Sequence, residues 1–491
     1  MRTNHCWRLL ALGCWASLLV LSASAQIYSV LYSFTNSPDG GQPAAGLTLS
    51  GSVLYGTTYY GGTSSNGTIF KVNTDGTGYM VLKNFSATPD PLDTNTDGAH
   101  PNAGLTLSSN VLYGTTTLGG GANAGTVFKV NTDGTGYTVL KSFGYNPDAE
   151  TPYAGLTLSG NVLYGTTFFG GSTTTANQPR GFGTIFKVNT DGTGYKVLYG
   201  FSASSDGADP AAGLTLSGNV LYGTAQFAGS SSSGTIFKVN TDGTGFTNLH
   251  SFSVETYSSS INAYPYTNSD GAIPQADLAL SGNVLYGTTY EAGSAGNGTI
   301  FKVNTDGTGF MVLKTFSATT NPNYTNTDGA NPRSGLTMFN NVLYGTTSGG
   351  GEYTEGTVFK INADGTGYSV LRSFNNSPDG ASPAGDLILD NNVVYGTAGS
   401  GGSSSWGTVF SLTGVLPGYN HIAGQLLGDG TMQLSFVGIA GGNYALDSTA
   451  SLSPANWLPQ ATNTADALGN LIFTNAPDPT TNAFWRIRSV P

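Results

Sequence analysis

The sequence predicts an all-β fold: a seven-bladed β-propeller followed by a small C-terminal β-sandwich of immunoglobulin or fibronectin-III type. Three observations point there. The phrase Leu-Tyr-Gly-Thr recurs with its tyrosine at Tyr55, Tyr113, Tyr164, Tyr222, Tyr286 and Tyr344, and a seventh copy, Val-Tyr-Gly-Thr, holds Tyr395. The spacings of 58, 51, 58, 64, 58 and 51 residues are those of a propeller, solenoid or array. Each unit holds four short runs rich in Val, Ile, Leu, Thr, Tyr and Phe, the residues that suit a pleated, half-buried strand. Finally, the phrase Tyr-x-Val-Leu-x-x-Phe, which ends the units, occurs once ahead of the first complete unit and is missing after the last.

In the first unit the runs cover residues 46–50, 52–58, 67–73 and 79–85. Asn73-Thr74-Asp75-Gly76-Thr77-Gly78 joins the last two, and Asn, Asp and Gly tolerate the positive φ of a tight hairpin. Thr68-Ile69-Phe70-Lys71-Val72 does not alternate cleanly between apolar and polar, as expected of blade strands covered on both faces. The early copy of the outer-strand phrase, residues 28–34, supplies the strand that the seventh unit lacks after Thr408-Val409-Phe410-Ser411-Leu412. A closed ring gains from that complementarity, and a linear stack does not. The propeller is therefore expected over residues 26–413, a linker over 414–418 and the sandwich over 419–491.

Residues 1–25 read as a signal peptide. Arg2 and Arg8 give a basic start, an apolar run extends from Leu9 to Leu21, and Ala23-Ser24-Ala25 forms a small-residue cleavage site ahead of Gln26. The expected location is outside the cytoplasm: extracellular, on the cell surface or periplasmic. Both cysteines, Cys6 and Cys14, lie in this segment, which leaves disulfides and thiol chemistry out of the remainder. No later stretch is apolar for long enough to span a bilayer. Only 9% of residues are charged and the net charge is −11, which argues against a disordered tail and against nucleic-acid or anionic-lipid partners. Lys71, Lys129, Lys187, Lys238, Lys302 and Lys360 occupy one blade position, whereas a nucleic-acid reader clusters its cations on one face.

Gly-Leu-Thr-Leu-Ser, Leu-Tyr-Gly-Thr-Thr, Gly-Thr-Ile-Phe-Lys-Val and Asp-Gly-Thr-Gly-Tyr together resemble the Gloeobacter/Verrucomicrobia (GloVer) tandem repeat of secreted bacterial proteins, over roughly residues 27–413. The resemblance implies an exported propeller-like array joined to one of several C-terminal anchoring modules, and it implies no activity. Leu-Tyr-Gly followed by Gly61-Gly62 also resembles a kelch blade. After Leu416-Pro417-Gly418 the repeat phrases stop, and alternating runs at 432–437, 443–447, 470–474 and 484–487 read as strands of the C-terminal module, with Trp457 and Trp485 as its core anchors.

Few residues suggest chemistry. The turn aspartates Asp75, Asp133, Asp191, Asp242, Asp306 and Asp364 read as residues that bond their own backbone. A second set precedes a proline by four residues in every unit: Asp39, Asp97, Asp148, Asp206, Asp270, Asp328 and Asp379. These are candidates for an acidic ring near one channel mouth; the alternative is that each satisfies backbone donors of its own loop. Asp93-Thr94-Asn95-Thr96-Asp97-Gly98 opens like a calcium loop with Asp93, Asn95 and Asp97 as ligands, although Gly104 stands where the closing Glu belongs. No other cofactor is expected. His100, His250 and His421 fall in unrelated contexts, and Glu291, Glu352 and Glu355 are nominal acids for glycoside hydrolysis.

The loops after the second strand vary most between units and carry Tyr59, Tyr60, Phe168, Phe169, Phe182, Phe227 and Tyr290. Exposed rings there stack on sugar faces or anchor a protein contact, and the alternative is that they cover blade ends. The function expected is a secreted, non-enzymatic, monomeric propeller that binds polysaccharide or an envelope or matrix protein. The alternative is a carbohydrate-active enzyme, which non-repeated acids within reach of each other at a channel mouth would favour.

Overall fold

The computed structural model describes residues 26–490 apart from 89–92, 146–147, 172–177, 259–265, 320–324, 391, 416–422, 427–431, 438–442, 450–457, 465–469 and 476–483. Among the described residues there is no helix, and seven four-stranded antiparallel sheets follow one another along the chain. From the axis outwards the first blade is Thr48–Ser50, Val53–Thr58, Thr68–Asn73 and Met80–Asn84. The seventh blade takes Ile388–Asp390, Val393–Ala398 and Thr408–Thr413 from the end of the array. Its outer strand is Ile27–Ser33, paired antiparallel with Thr408–Thr413. One sheet thus joins both ends of the array, and the seventh blade has four strands like the other six.

Seven apolar clusters hold the blades together, one at each interface. At the first interface Tyr55, Ile69 and Phe85 pack on Leu105, Leu112 and Phe128 of the next blade. At the closing interface Phe34, Tyr395 and Val409 pack on Leu47, Leu54 and Phe70. The phenylalanine ending each outer-strand phrase meets the third-strand phenylalanine ahead of it, as in Phe34–Phe70 at 5.1 Å and Phe374–Phe410 at 5.2 Å between ring centroids. Thr68, Ile69, Phe70 and Val72 are all at 0% exposure, which explains a run with no apolar–polar alternation. The glycine of Tyr-Gly-Thr is dictated by the same ring. A Cβ on Gly56 would lie 2.6 Å from Phe70 Cζ, the residue opposite it in the ladder.

A polar staple crosses every interface further out. The fifth residue of the outer-strand phrase lies flat on an aromatic ring of the next blade and bonds, at its tip, the aspartate of the following loop. Lys83 sits 4.7 Å from the Tyr137 ring and 2.6 Å from Asp97 Oδ2; Lys141 sits 4.1 Å from the Tyr195 ring and 2.7 Å from Asp148 Oδ2. Lys314 and Arg372 repeat this over Tyr368 and Tyr28 with Asp328 and Asp379. Where the residue is aromatic it stacks: Tyr32 on Tyr79 at 3.6 Å, Tyr199 on Phe246 at 3.9 Å and His250 on Phe310 at 3.7 Å, reaching Asp39, Asp206 and Asp270. Six of the seven carboxylates, those of Asp39, Asp97, Asp148, Asp206, Asp270 and Asp328, also accept from a nearby backbone amide, such as Thr35, Ser86 or Ser253.

The hairpin turns follow the expected chemistry. Asp75 Oδ1 accepts from the Thr77 amide at 2.9 Å and its hydroxyl at 2.7 Å, and these bonds hold the carboxyl below its ordinary range. Beyond the ring, six strands form two three-stranded antiparallel sheets: Ala423–Leu426, Met432–Val437 and Asn470–Asn475, and Leu458–Thr464, Asn443–Thr449 and Phe484–Val490. Leu434, Tyr444, Leu446, Leu471 and Phe473 are buried. The signal-peptide segment, Trp457, the Trp485 side chain and His421 lie outside the described residues.

Three outcomes follow from ring closure and the staple. Deleting residues 26–34 leaves Thr408–Thr413 as an open edge, so the variant is expected to melt at lower temperature and to elute as associated species on size exclusion; unchanged melting and elution would contradict closure. Asp97→Ala leaves the Lys83 ammonium against Tyr137 without its counter-charge, a loss expected at about 3 kcal/mol by denaturant titration. Acid should weaken the same contacts. Burial alone raises the Asp148 and Asp270 carboxyls, but bonds from Lys141 and Tyr195, and from His250 and Ser253, outweigh it and hold both below their ordinary value. Their contribution is present above the unfolded value of about 3.9 and is lost as pH falls through the lower folded value.

Candidate functional site

The segments that enter the innermost strands line a central cavity of about 620 Å³. At the ring position before the inner-strand leucine stand Gly46, Gly104, Gly155, Gly213, Asp277, Gly335 and Asp386. Five glycines leave this ring open, and the two side chains it carries are both carboxylates. Asp277 Oδ1 accepts from the Gly213 amide and Asp386 Oδ1 from the Gly335 amide, each at 2.6 Å and each from the preceding blade. Burial lifts the Asp277 carboxyl above its ordinary range, with the Gly213 bond opposing. Burial, and then the charge of Asp277, push Asp386 up to about 7. The two carboxyls titrate as a linked pair.

The same two blades lack the inner-strand threonine. Thr48, Thr106, Thr157, Thr215 and Thr337 each donate through the hydroxyl to a leucine carbonyl of the next blade, whereas Ala279 and Ile388 stand at that position in the blades with Asp277 and Asp386. The departure is therefore a paired one, Gly-Leu-Thr becoming Asp-Leu-Ala and Asp-Leu-Ile.

Above this ring the mouth is built by two variable positions. One follows each repeat proline and contributes Asn102, Tyr153, Gln275 and Arg333; the other follows the second strand and contributes Phe168 and Gln226. The residue before each proline holds a left-handed backbone, φ running from 51° at Ser382 to 60° at Thr151, and including the β-branched Ile273 at 55°. Such backbone costs on the order of 1–3 kcal/mol per residue and persists only where surrounding structure enforces it. Here the buried aspartate four residues before the proline anchors the loop. Tyr153 and Phe168 meet at 5.2 Å between ring centroids with their planes tilted by 58°, and Gln226 Nε2 donates to Gln275 Oε1 at 3.3 Å. Arg333 covers the Tyr290 ring at 4.7 Å and donates to its hydroxyl at 3.0 Å.

The acidic ring expected from Asp39, Asp97, Asp148, Asp206, Asp270, Asp328 and Asp379 is not at the channel mouth. Their carboxylates serve the outer-strand staples, because the loop turns them back toward the strand it has just left. The channel acids are Asp277 and Asp386 instead. At the calcium-like loop, Asn95 Oδ1 accepts from the Gly98 and Gly120 amides, and Asp97 is bonded by Lys83 and Ser86. Asn326 repeats the Asn95 pattern with Gly329 and Gly351, which identifies it as a loop lock. Asp93 takes a left-handed φ of 54°. Among the described residues no three His, Cys, Asp or Glu side chains gather as metal ligands.

The aromatic candidates divide. Phe168 lines the channel and Tyr290 carries Arg333 at its rim. Tyr59 and Tyr60 enclose His100, with Tyr59 stacked on it at 4.8 Å and Tyr60 39% exposed. Phe169 lies under the Arg180 guanidinium at 4.2 Å, and Arg180 in turn holds the fully buried Glu150. Phe227 is 38% exposed, whereas Phe182 packs on the core between the third and fourth blades. Glu291 is half-buried; burial and the charge of Glu255 raise its carboxyl, and Arg333 opposes them. The sequence reading missed Tyr153, Gln275, Arg333, Asp277 and Asp386. The signal was there as departures from the repeat phrase: the residue after each proline, and the two glycines replaced by aspartate.

A closed ring of antiparallel blades around a lined axial cavity defines a tandem-repeat β-propeller. The chain belongs to the Gloeobacter/Verrucomicrobia repeat family, which it matches over residues 17–177, 171–319 and 317–423. Among solved structures it is similar to a 6-phosphogluconolactonase candidate from Bacteroides uniformis, at 12% identity and a TM-score of 0.44, covering 86% of this chain and 98% of that one. It is also similar to a Mycobacterium tuberculosis puromycin-hydrolyzing peptidase, at 11% identity and a TM-score of 0.46, covering 84% of this chain and 61% of that one. No curated protein matches it in sequence.

The channel pair makes a stability prediction. Both folded-state values lie above the unfolded value of about 3.9, so the full stability is present below that pH and is lost as pH rises through the folded values. Asp277→Asn with Asp386→Asn removes this loss while keeping an oxygen for each glycine amide. The double variant should exceed the parent in melting temperature by a few degrees at pH 8 and by less at pH 5; a constant difference across that range would show that the carboxyls are not raised.

Proposed function

We propose that this protein is a secreted, non-enzymatic propeller that binds polysaccharide at the mouth of its channel, at the cell surface or in the extracellular matrix. The C-terminal strands then serve as a β-sandwich module that attaches or orients it. The observation that carries the reading is the make-up of the mouth. The Tyr153–Phe168 pair offers an aromatic face for the C–H side of a sugar ring, and Asn102, Gln226, Gln275 and Arg333 offer planar donors and acceptors for its hydroxyls. The side chains differ from blade to blade, as suits a ligand without seven-fold symmetry.

A second reading, glycoside cleavage at the same mouth, is favoured by one observation: Asp277 and Asp386 are non-repeated acids that influence each other's ionisation. Two carboxyls are the minimum for that chemistry.

The test is a glycan array on the intact protein, followed by titration of the strongest binder. Tyr153→Ala with Phe168→Ala should weaken binding at least about tenfold with melting unchanged. Undiminished binding would move the site to Tyr59, Tyr60 and His100 or to the C-terminal module. Release of reducing ends from the bound glycan would replace binding by hydrolysis.

A further inference from the structure

We propose that the channel floor takes the ammonium group of an amino sugar, so that the polysaccharide bound at the mouth is one bearing free amines, such as a de-N-acetylated hexosamine chain. This rests on the polysaccharide reading above and narrows it.

Asp277 and Asp386 line the cavity, and one oxygen of each is held by a glycine amide. Neither has a cationic partner among the described residues. Arg333 is the one cation among the described residues lining the cavity, and it is turned to Tyr290. A carboxylate held away from bulk water without a counter-charge is costly, and an entering cation relieves that cost. The room is specific to these carboxylates: a Cβ on Gly213 would lie 2.7 Å from Asp277 Oδ2, and one on Gly335 would lie 3.1 Å from Asp386 Oδ1.

A second, independent observation comes from Gln275, two residues before Asp277 in the same lining. Its Nε2 is shut off from solvent and has no acceptor, while its Oε1 is taken by Gln226. A buried amide N–H of this kind calls for an acceptor oxygen from a ligand. A ligand that satisfies the floor must therefore bring a cation and a neighbouring oxygen together, and one that satisfies the Tyr153–Phe168 wall must bring an apolar face. An amino sugar carries all three on one ring. A bare calcium ion does not suit the donor set, since it takes six to eight oxygens and no third acid joins the pair among the described residues.

The experiment is calorimetric titration of the full chain with a glucosamine hexamer and with its N-acetylated counterpart. The amine form is expected to bind at least about tenfold more tightly, and Asp277→Asn with Asp386→Asn to abolish that preference so that the two sugars bind alike. Gln275→Ala should weaken both. Equal affinities in the parent, or a preference that survives the double substitution, would overturn the proposal. If neutral glycans bind and respond to Tyr153→Ala while the amine brings no advantage, the mouth reading stands and the amine proposal falls. A trilysine peptide that competes as tightly as the glucosamine hexamer would also overturn it, in favour of a peptide ligand.

Discussion

The outer staple is the contact on which the rest of the ring depends. In each of the seven interfaces one side chain lies flat on an aromatic ring of the next blade and presents a hydrogen-bond donor to a largely buried aspartate. The chain fills that position with Tyr32, Lys83, Lys141, Tyr199, His250, Lys314 and Arg372. The residue types differ, but the physical requirement is the same: a body that packs against a π face and a polar tip that reaches about one side-chain length further. The aspartate it bonds also ties down the loop that carries the chain from the rim back to the axis. Three residues later that loop holds a left-handed backbone just before a proline, and the residue after the proline lines the channel mouth. The staple at the perimeter thus determines where the site residues at the centre stand.

The same geometry explains why the ring is uniform outside and individual inside. Residues at the blade interfaces are covered on both faces, so a change of volume is felt by two sheets at once. The glycine opposite the third-strand phenylalanine shows the constraint at its tightest, since any Cβ there would overlap Phe70 or its equivalents. Residues at the mouth meet solvent on one side and carry no such constraint. Asn102, Tyr153, Gln275 and Arg333 share one loop position, filled by alanine in the other three blades, and range from carboxamide to aromatic ring to guanidinium. The floor is intermediate: it tolerates aspartate in two places only because the preceding blade offers glycine, and both aspartates gain an amide donor by leaning on it.

Much of the fold was legible in the sequence. The repeat tyrosines, the hairpin turns and the displaced outer-strand phrase define seven blades and the strand that joins first to last, because strand period and turn chemistry are local properties. The turn aspartates were legible for the same reason: Asp75 and its equivalents bond a residue two positions away. Two of the C-terminal strands, Ala423–Leu426 and Leu458–Thr464, were not anticipated, since neither run alternates cleanly.

What the sequence could not decide was radial position. The aspartates of the Asp-to-Pro segment lie on a stretch that runs from rim to axis, and sequence spacing does not say at which end a side chain is held; the staple holds it at the rim. Phe168 and Phe182 were equivalent as loop aromatics, but one lines the channel and the other covers the core between two blades. Asp277 and Asp386 lie 109 residues apart (386 minus 277) and read separately as exceptions to a phrase. Closure of the ring brings both to one cavity, where burial raises them and the charge of Asp277 acts on Asp386. By itself the sequence determined the blades, their number and their turns, because those depend on neighbours along the chain. The tertiary structure alone decided which departures from the repeat meet, because that depends on neighbours across the axis.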